Sequence, residues 1–217
     1  QKMGKSLGNV INVHAALDEF PAEALRIYYL QNLYRSPLPW NEEALPDALA
    51  MLARLYEARE VAETMGGEED PDTVASQLGA DALAVLELGR NFETKFHEAM
   101  DHDFNTSKGL AHLYELSRAI NRLGNHKKAK KRGGPVVREA LNAFKLVNSA
   151  LGLMGMSSAD FQEEVKAKRM SAMGLSKDQV EGLIADRIAA REAKDWGKAD
   201  AIRDDLEKLN IAVMDRA

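Results

Sequence analysis

Between Asn12 and Leu151 apolar side chains return every three or four residues, and no stretch alternates convincingly as a strand requires. The strongest run is Ala82, Val85, Gly89, Phe92, Phe96 and Ala99, whose steps turn one face of a long helix towards a core. A chain patterned this way folds as helix packed on helix, so a mainly α architecture, an antiparallel helical bundle, is the expectation. Its 217 residues, 45% hydrophobic and 29% charged, suffice for one sizeable core or two smaller ones.

Punctuation residues predict the elements. Asn12 to Leu17 reads as a short helix, and Pro21 opens a longer one that directs Ala22, Leu25, Tyr29 and Leu33 to a core. Ser36-Pro37-Leu38-Pro39 ends it, because proline removes a donor and pushes its predecessor out of the helical region. The next helix is capped by Asn41 or begins at Pro46, and carries Leu49, Leu52, Tyr56 and Ala62 up to Met65. Gly66-Gly67 and the acidic Glu68-Glu69-Asp70 make a surface loop, and Asp70 caps a short helix from Pro71 to Leu78. After the Ala82 to Ala99 stripe, Asp103 or Asn105 caps a helix bearing Leu110, Leu113, Ser117 and Ile120. Pro135 opens the last bundle helix, with Val137, Leu141, Phe144, Asn148 and Leu151 on one face.

Glycines and serines from Gly152 to Gly174 mark a linker around an amphipathic segment, Asp160 to Met170. Lys177 to Lys194 is then helical, with Val180, Ile184 and Ile188 inward and Arg187 and Arg191 near the edge of that face. Asp195 caps a second helix with Ala199, Ile202, Leu206 and Leu209 inward. Ile211 and Val213 alternate with Ala212 and Met214 as a strand ending at Asp215, so the tail reads as a small C-terminal α/β domain. The expected division is a loop at 1–11, the bundle at 12–152, the linker at 153–176 and the terminal domain at 177–217.

Composition removes several classes of function. No apolar run approaches the roughly 20 residues of a membrane span and no signal-peptide pattern is present, so a cytoplasmic protein is expected. Without cysteine there is no disulfide framework and no thiolate ligand. His97, His102, His112 and His126 form no His-x-x-x-His pair, so no metal site is expected. A net charge of -5 argues against holding nucleic acid through a broad basic face, and any RNA contact must be local. The dense basic run Lys127-Lys128-Ala129-Lys130-Lys131-Arg132 reads as a loop that is either merely solvated or a phosphate clamp.

The first nine residues, Gln1-Lys2-Met3-Gly4-Lys5-Ser6-Leu7-Gly8-Asn9, have the outline of a phosphate-handling loop. Glycines let a backbone approach an anion, and Lys2 and Lys5 bring mobile charges that stabilise a triphosphate as charge shifts onto leaving pyrophosphate. Two lysines near a chain end also suit a purely solvated terminus. Lys-Met-Gly-Lys-Ser-Leu-Gly-Asn, however, resembles the Lys-Met-Ser-Lys-Ser-Leu-Gly-Asn signature of class I aminoacyl-tRNA synthetases, departing from it at Gly4. Three further stretches are similar to the cysteinyl-tRNA synthetases of bacteria. They are Leu33-Tyr34-Arg35-Ser36-Pro37-Leu38 with Asn41-Glu42-Glu43-Ala44-Leu45, then Met100 to Thr106, then Ala190-Arg191 through Asp195-Trp196 and Ala199-Asp200 to Ile202-Arg203-Asp204.

That resemblance implies an anticodon-binding type of bundle and the ATP-dependent ligation of cysteine to tRNA(Cys) through a cysteinyl-adenylate. Lys2 and Lys5 become catalytic residues contacting ATP phosphates, with Ser6 beside them in the ATP site. The family's other ATP signature, of His-Ile-Gly-His type, is absent, so the chain is expected to begin mid-enzyme, to hold a partial ATP site and to be inactive alone. The family's zinc, which selects cysteine, is implied to lie before the loop, with none in this chain. A monomer is expected, and Arg191, Trp196, Asp200 and Asp215 are implied as the tRNA-binding residues that read the anticodon. From its neighbours alone, Trp196, between Asp195 and Gly197, is either free to stack on a base or fills the gap between two helices. Two rivals stand beside this reading: a relative that joins cysteine to an amino sugar, and a helical protein-interaction module with no RNA role.

Overall fold

The computed structural model describes residues 12–208 and Ile211, and every regular element among them is a helix. Two compact units divide the chain. One runs from Phe20 to Glu163; the other holds, among the described residues, the short helix α1 (Val13–Glu19) and the chain from Glu164 onward.

In the first unit, α2 (Ala22–Leu30), α3 (Ala44–Thr64), α4 (Pro71–Leu78), α5 (Ala80–Asp101), α6 (Thr106–Gly124), α7 (Lys127–Arg132) and α8 (Gly134–Leu151) form the bundle. α5 lies between α6 and α8, and α3 packs on both. The α5 stripe is buried as patterned, with Phe92 and Phe96 stacked at 5.8 Å. Glycine permits the close crossings: a Cβ on Gly89 would meet Ala140 N and Glu139 Cβ at 3.1 Å, and one on Gly124 would meet Val61 Cγ1 at 2.5 Å. Asp70 accepts from Thr73 N at 2.8 Å to start α4, and Asn105 accepts from Lys108 N at 2.9 Å to start α6. Neither Asn41 nor Pro46 marks the start of α3, which begins after Glu43 without a side-chain cap and takes Pro46 into its first turn.

Three expectations are corrected. On α2 the buried face is Ala24, Leu25, Ile27 and Tyr28, which turns Tyr29 outward, and Leu33 is exposed beyond the helix end at Leu30. On α8 Asn148 faces solvent and Ala140, Phe144 and Val147 form the core face. The basic run is not a loop but α7: Ala129 is fully buried and anchors one turn of helix against α4, α6 and α8.

After α8, Gly152 adopts a left-handed conformation (φ 63°) and the chain folds back along α2 and α3. The Glu23 carboxylate holds it there, accepting from Tyr56 Oη at 2.9 Å, Met154 N at 3.1 Å and Gly155 N at 2.9 Å. Arg59 donates to the carbonyls of Met154 (3.0 Å) and Met156 (2.9 Å), and the Tyr56 ring stacks on Phe161 at 4.1 Å. Burial, and then the Glu23 charge facing it, pushes the Tyr56 hydroxyl well above its ordinary pKa, which keeps it a donor. Glu23→Ala removes the acceptor for three donors at once. It is expected to destabilise the first unit by about 2–4 kcal/mol in urea unfolding followed by circular dichroism.

The stretch 153–176 carries α9 (Ser158–Ala172), and the first unit ends within it. Beyond lie α10 (Lys177–Glu192) and α11 (Trp196–Lys208), packed on each other. On α10 the buried residues are Arg187 and Ala190, while Ile184 and Ile188 are exposed, so the inward face is displaced from the expected one. α11 buries Ala199 and Leu206 as patterned. The expected strand and Leu209 lie outside the described residues, apart from Ile211, whose N–H donates to Leu206 O at 2.9 Å.

Candidate nucleic-acid interface

α10 begins with a reciprocal cap. Ser176 Oγ accepts from Gln179 N at 3.2 Å, and Gln179 Oε1 accepts from Ser176 N at 2.9 Å. Its far end turns through Lys194 in a left-handed conformation (φ 58°), with Asp195 N donating to Ala190 O at 2.9 Å. Asp195 Oδ1 then accepts from Lys198 N at 3.1 Å, filling one of the free amides at the start of α11. Two well-defined helix ends therefore meet at one tight turn, and Trp196 is the first helical residue after it.

Trp196 is 59% exposed, so it does not fill a gap between the two helices. Asp200 is exposed one turn further along α11, where it pairs with Arg203 at 3.4 Å. Arg191 lies half-buried in the last turn of α10, on the other side of the junction. An exposed indole suits an unpaired base, which can stack on such a ring. Lys2, Lys5, Ser6 and Asp215 lie outside the described residues.

Family models match three parts of the chain. Residues 1–50 match the tRNA synthetases class I (C) catalytic domain, 95–155 a DALR domain, and 175–217 the cysteinyl-tRNA ligase anticodon binding domain. Relatives named cysteine–tRNA ligase match the whole length of the chain. That of Geobacter sulfurreducens is 34% identical over 222 residues, covering 100% of this chain and 44% of its own length. That of Solidesulfovibrio magneticus is 36% identical over 218 residues (99% and 44%), and that of Thermodesulfovibrio yellowstonii 35% over 217 residues (100% and 43%). Along its whole length the chain is similar to cysteine–tRNA ligases. It spans less than half the length of these relatives.

The anticodon-domain match takes in α10, α11 and Trp196, and the DALR match runs from the last turns of α5 through α8. Among the described residues no group of three or more His, Cys, Asp or Glu side chains could hold a metal ion. Nor, among these residues, is any helix long and apolar enough to cross a membrane.

Sequence reasoning assigned no role to an aromatic cleft on the first unit. Tyr29, Leu33, Tyr34, Leu38 and Phe104 line a cavity of about 500 Å3, with Phe104 70% exposed. Asp103 and Phe104 both have positive φ (58° and 50°), a conformation that branched or bulky side chains seldom adopt. Tyr34 Oη donates to Asp103 Oδ1 at 2.9 Å and Arg35 Nη2 to the same oxygen at 3.0 Å, tying the α2–α3 loop to this corner. The signal was in the sequence. Leu33, Tyr34, Leu38 and Phe104 fall in stretches, 33–38 and 100–106, that carried the family resemblance.

Proposed function

We propose that this chain is the tRNA-binding C-terminal part of a cysteine–tRNA ligase, which joins L-cysteine to tRNA(Cys) at the expense of ATP. The observation that carries the reading is the exposed Trp196 at the α10–α11 junction, inside the stretch matching an anticodon binding domain. In this reading Arg191, Trp196, Asp200 and Asp215 contact the anticodon, and residues 177–217 are a small C-terminal α/β domain. The bundle, 12–152, carries the tRNA between its two functional ends, with 153–176 linking it to the terminal domain.

Lys2 and Lys5, with Ser6, bind ATP phosphates in a site whose remainder belongs to the catalytic domain of the intact enzyme. The aromatic cleft supports this: Tyr29 to Leu38 fall in the part matching the catalytic domain, and the rest of that domain is a fitting cover for so apolar a face. The reading carries a monomer working in the cytoplasm. The rival amino-sugar ligase is disfavoured by the match at 175–217, which embraces the Trp196 region. A gel-shift titration with tRNA(Cys) against a tRNA of different anticodon tests it. Preferential binding of tRNA(Cys) is the expected result, and equal or absent binding would overturn it.

A further inference from the structure

α7 is a cation cluster held in shape by backbone. Gly66 N donates to Lys130 O at 3.1 Å and Gly134 N to Gly66 O at 2.8 Å, so the α3–α4 loop clasps both the helix and the chain leaving it. The clasp needs glycine. A Cβ on Gly67, whose φ is +107°, would lie 2.9 Å from Arg132 O, and one on Gly134 would lie 2.8 Å from Met65 O. Arg132 adds a side-chain tether, bonding Glu69 through Nε at 2.7 Å and Gln77 through Nη2 at 2.8 Å, and this holds the Glu69 carboxyl below its usual range.

With Arg132 engaged and Ala129 buried, Lys127, Lys128, Lys130 and Lys131 remain exposed. At 3.6 residues per turn these four span an arc of roughly 160° centred opposite Ala129. Lys127 and Lys131, Lys127 and Lys130, and Lys128 and Lys131 are neighbours one turn apart, so each pair repels and works against a helix this short. A merely solvated loop would spread such charges; this one gathers them on a pinned turn, in a chain whose net charge is -5. A polyanion relieves the repulsion. An acidic polypeptide would do so too, but the reading of the chain as a tRNA binder favours a nucleic-acid backbone.

We propose that Lys127, Lys128, Lys130 and Lys131 on α7 form a sequence-independent phosphate-contact site for the tRNA backbone, separate from the anticodon-reading unit. The inference rests on the tRNA-binding function proposed above. Its test is the salt dependence of tRNA binding by the 217-residue chain, with the four lysines together replaced by alanine. Four lost phosphate contacts lower the slope of log affinity against log salt by about 3, and weaken binding roughly tenfold or more at low salt. tRNA(Cys) and a mismatched tRNA should weaken equally, and four Lys→Arg substitutions should preserve both slope and affinity. Circular dichroism checks the fold; if the alanine variant unfolds, the four single variants, each lowering the slope by a little under one, carry the same test. An unchanged slope while the unsubstituted chain binds tRNA overturns the site and leaves the function standing. Lysine-dependent binding of polyglutamate with no lysine dependence for tRNA also overturns it, and assigns α7 to an acidic protein. No tRNA binding by the unsubstituted chain overturns the function, and this site with it.

Discussion

Lys5→Ala in the intact ligase is expected to slow cysteine activation by about 10²- to 10³-fold, read as cysteine-dependent exchange of pyrophosphate into ATP. In the proposed role the ammonium at that position would face charge that grows on the departing pyrophosphate, so its stabilisation would be larger in the transition state than with ATP merely bound. Loss should therefore fall on kcat, with the KM for cysteine little changed. Lys5→Arg keeps the charge but replaces a compact, mobile ammonium with a planar fork, and should recover only part of the rate. Gly4→Ser, which restores the usual residue of the signature, should be tolerated. An exchange rate unaltered in Lys5→Ala would remove that lysine from the catalytic role.

The bundle was legible because its helices are long enough for periodicity to average over errors. α5 buries six expected positions, and Asp70 and Asn105 cap where their spacing said they would. Short or marginal helices were not legible to the same degree. On α2 the stripe through Tyr29 and Leu33 ran past the helix end at Leu30, and the core face instead centres on Ala24 and Ile27. On α10 two isoleucines suggested the inward face, yet Arg187 and Ala190 are buried there. Apolarity alone sets a helix's rotation poorly when few apolar residues are available, and a long side chain such as arginine can cover a face with its methylenes. α7 was misread because repulsion among lysines argues against a helix. The glycine contacts that overcome it come from Gly66 and Gly67, far away in sequence. The Glu23 network escaped notice for the same reason: Glu23, Tyr56, Arg59 and Met154 share no local pattern, and only folding brings them together. At the junction of α10 and α11 the sequence left two readings of Trp196, and the 59% exposure of the ring removes the one in which it fills a gap.

Trp196→Ala is expected to weaken tRNA(Cys) binding by about ten- to a hundredfold, since stacking on an aromatic side chain contributes roughly 1–3 kcal/mol per base. The exposed ring contributes little to the fold, so circular dichroism and the urea midpoint should stay near those of the parent chain. Asp195 still caps α11 in the variant, and the buried Ala199 and Leu206 are untouched, so the junction itself is retained. Trp196→Phe keeps a π-face and should recover most of the affinity. The protein has 2 tryptophans, and Trp40 packs edge-on against Tyr28 at 5.4 Å in the first unit. Trp40→Phe therefore leaves Trp196 as the sole indole reporter, and stacking on an anticodon base should quench its emission when tRNA(Cys) is added. A loss of folded signal in Trp196→Ala would make the tryptophan a structural residue. A folded variant that binds tRNA(Cys) as tightly as the parent, with no quenching in the Trp40→Phe background, would take the α10–α11 junction out of the anticodon site.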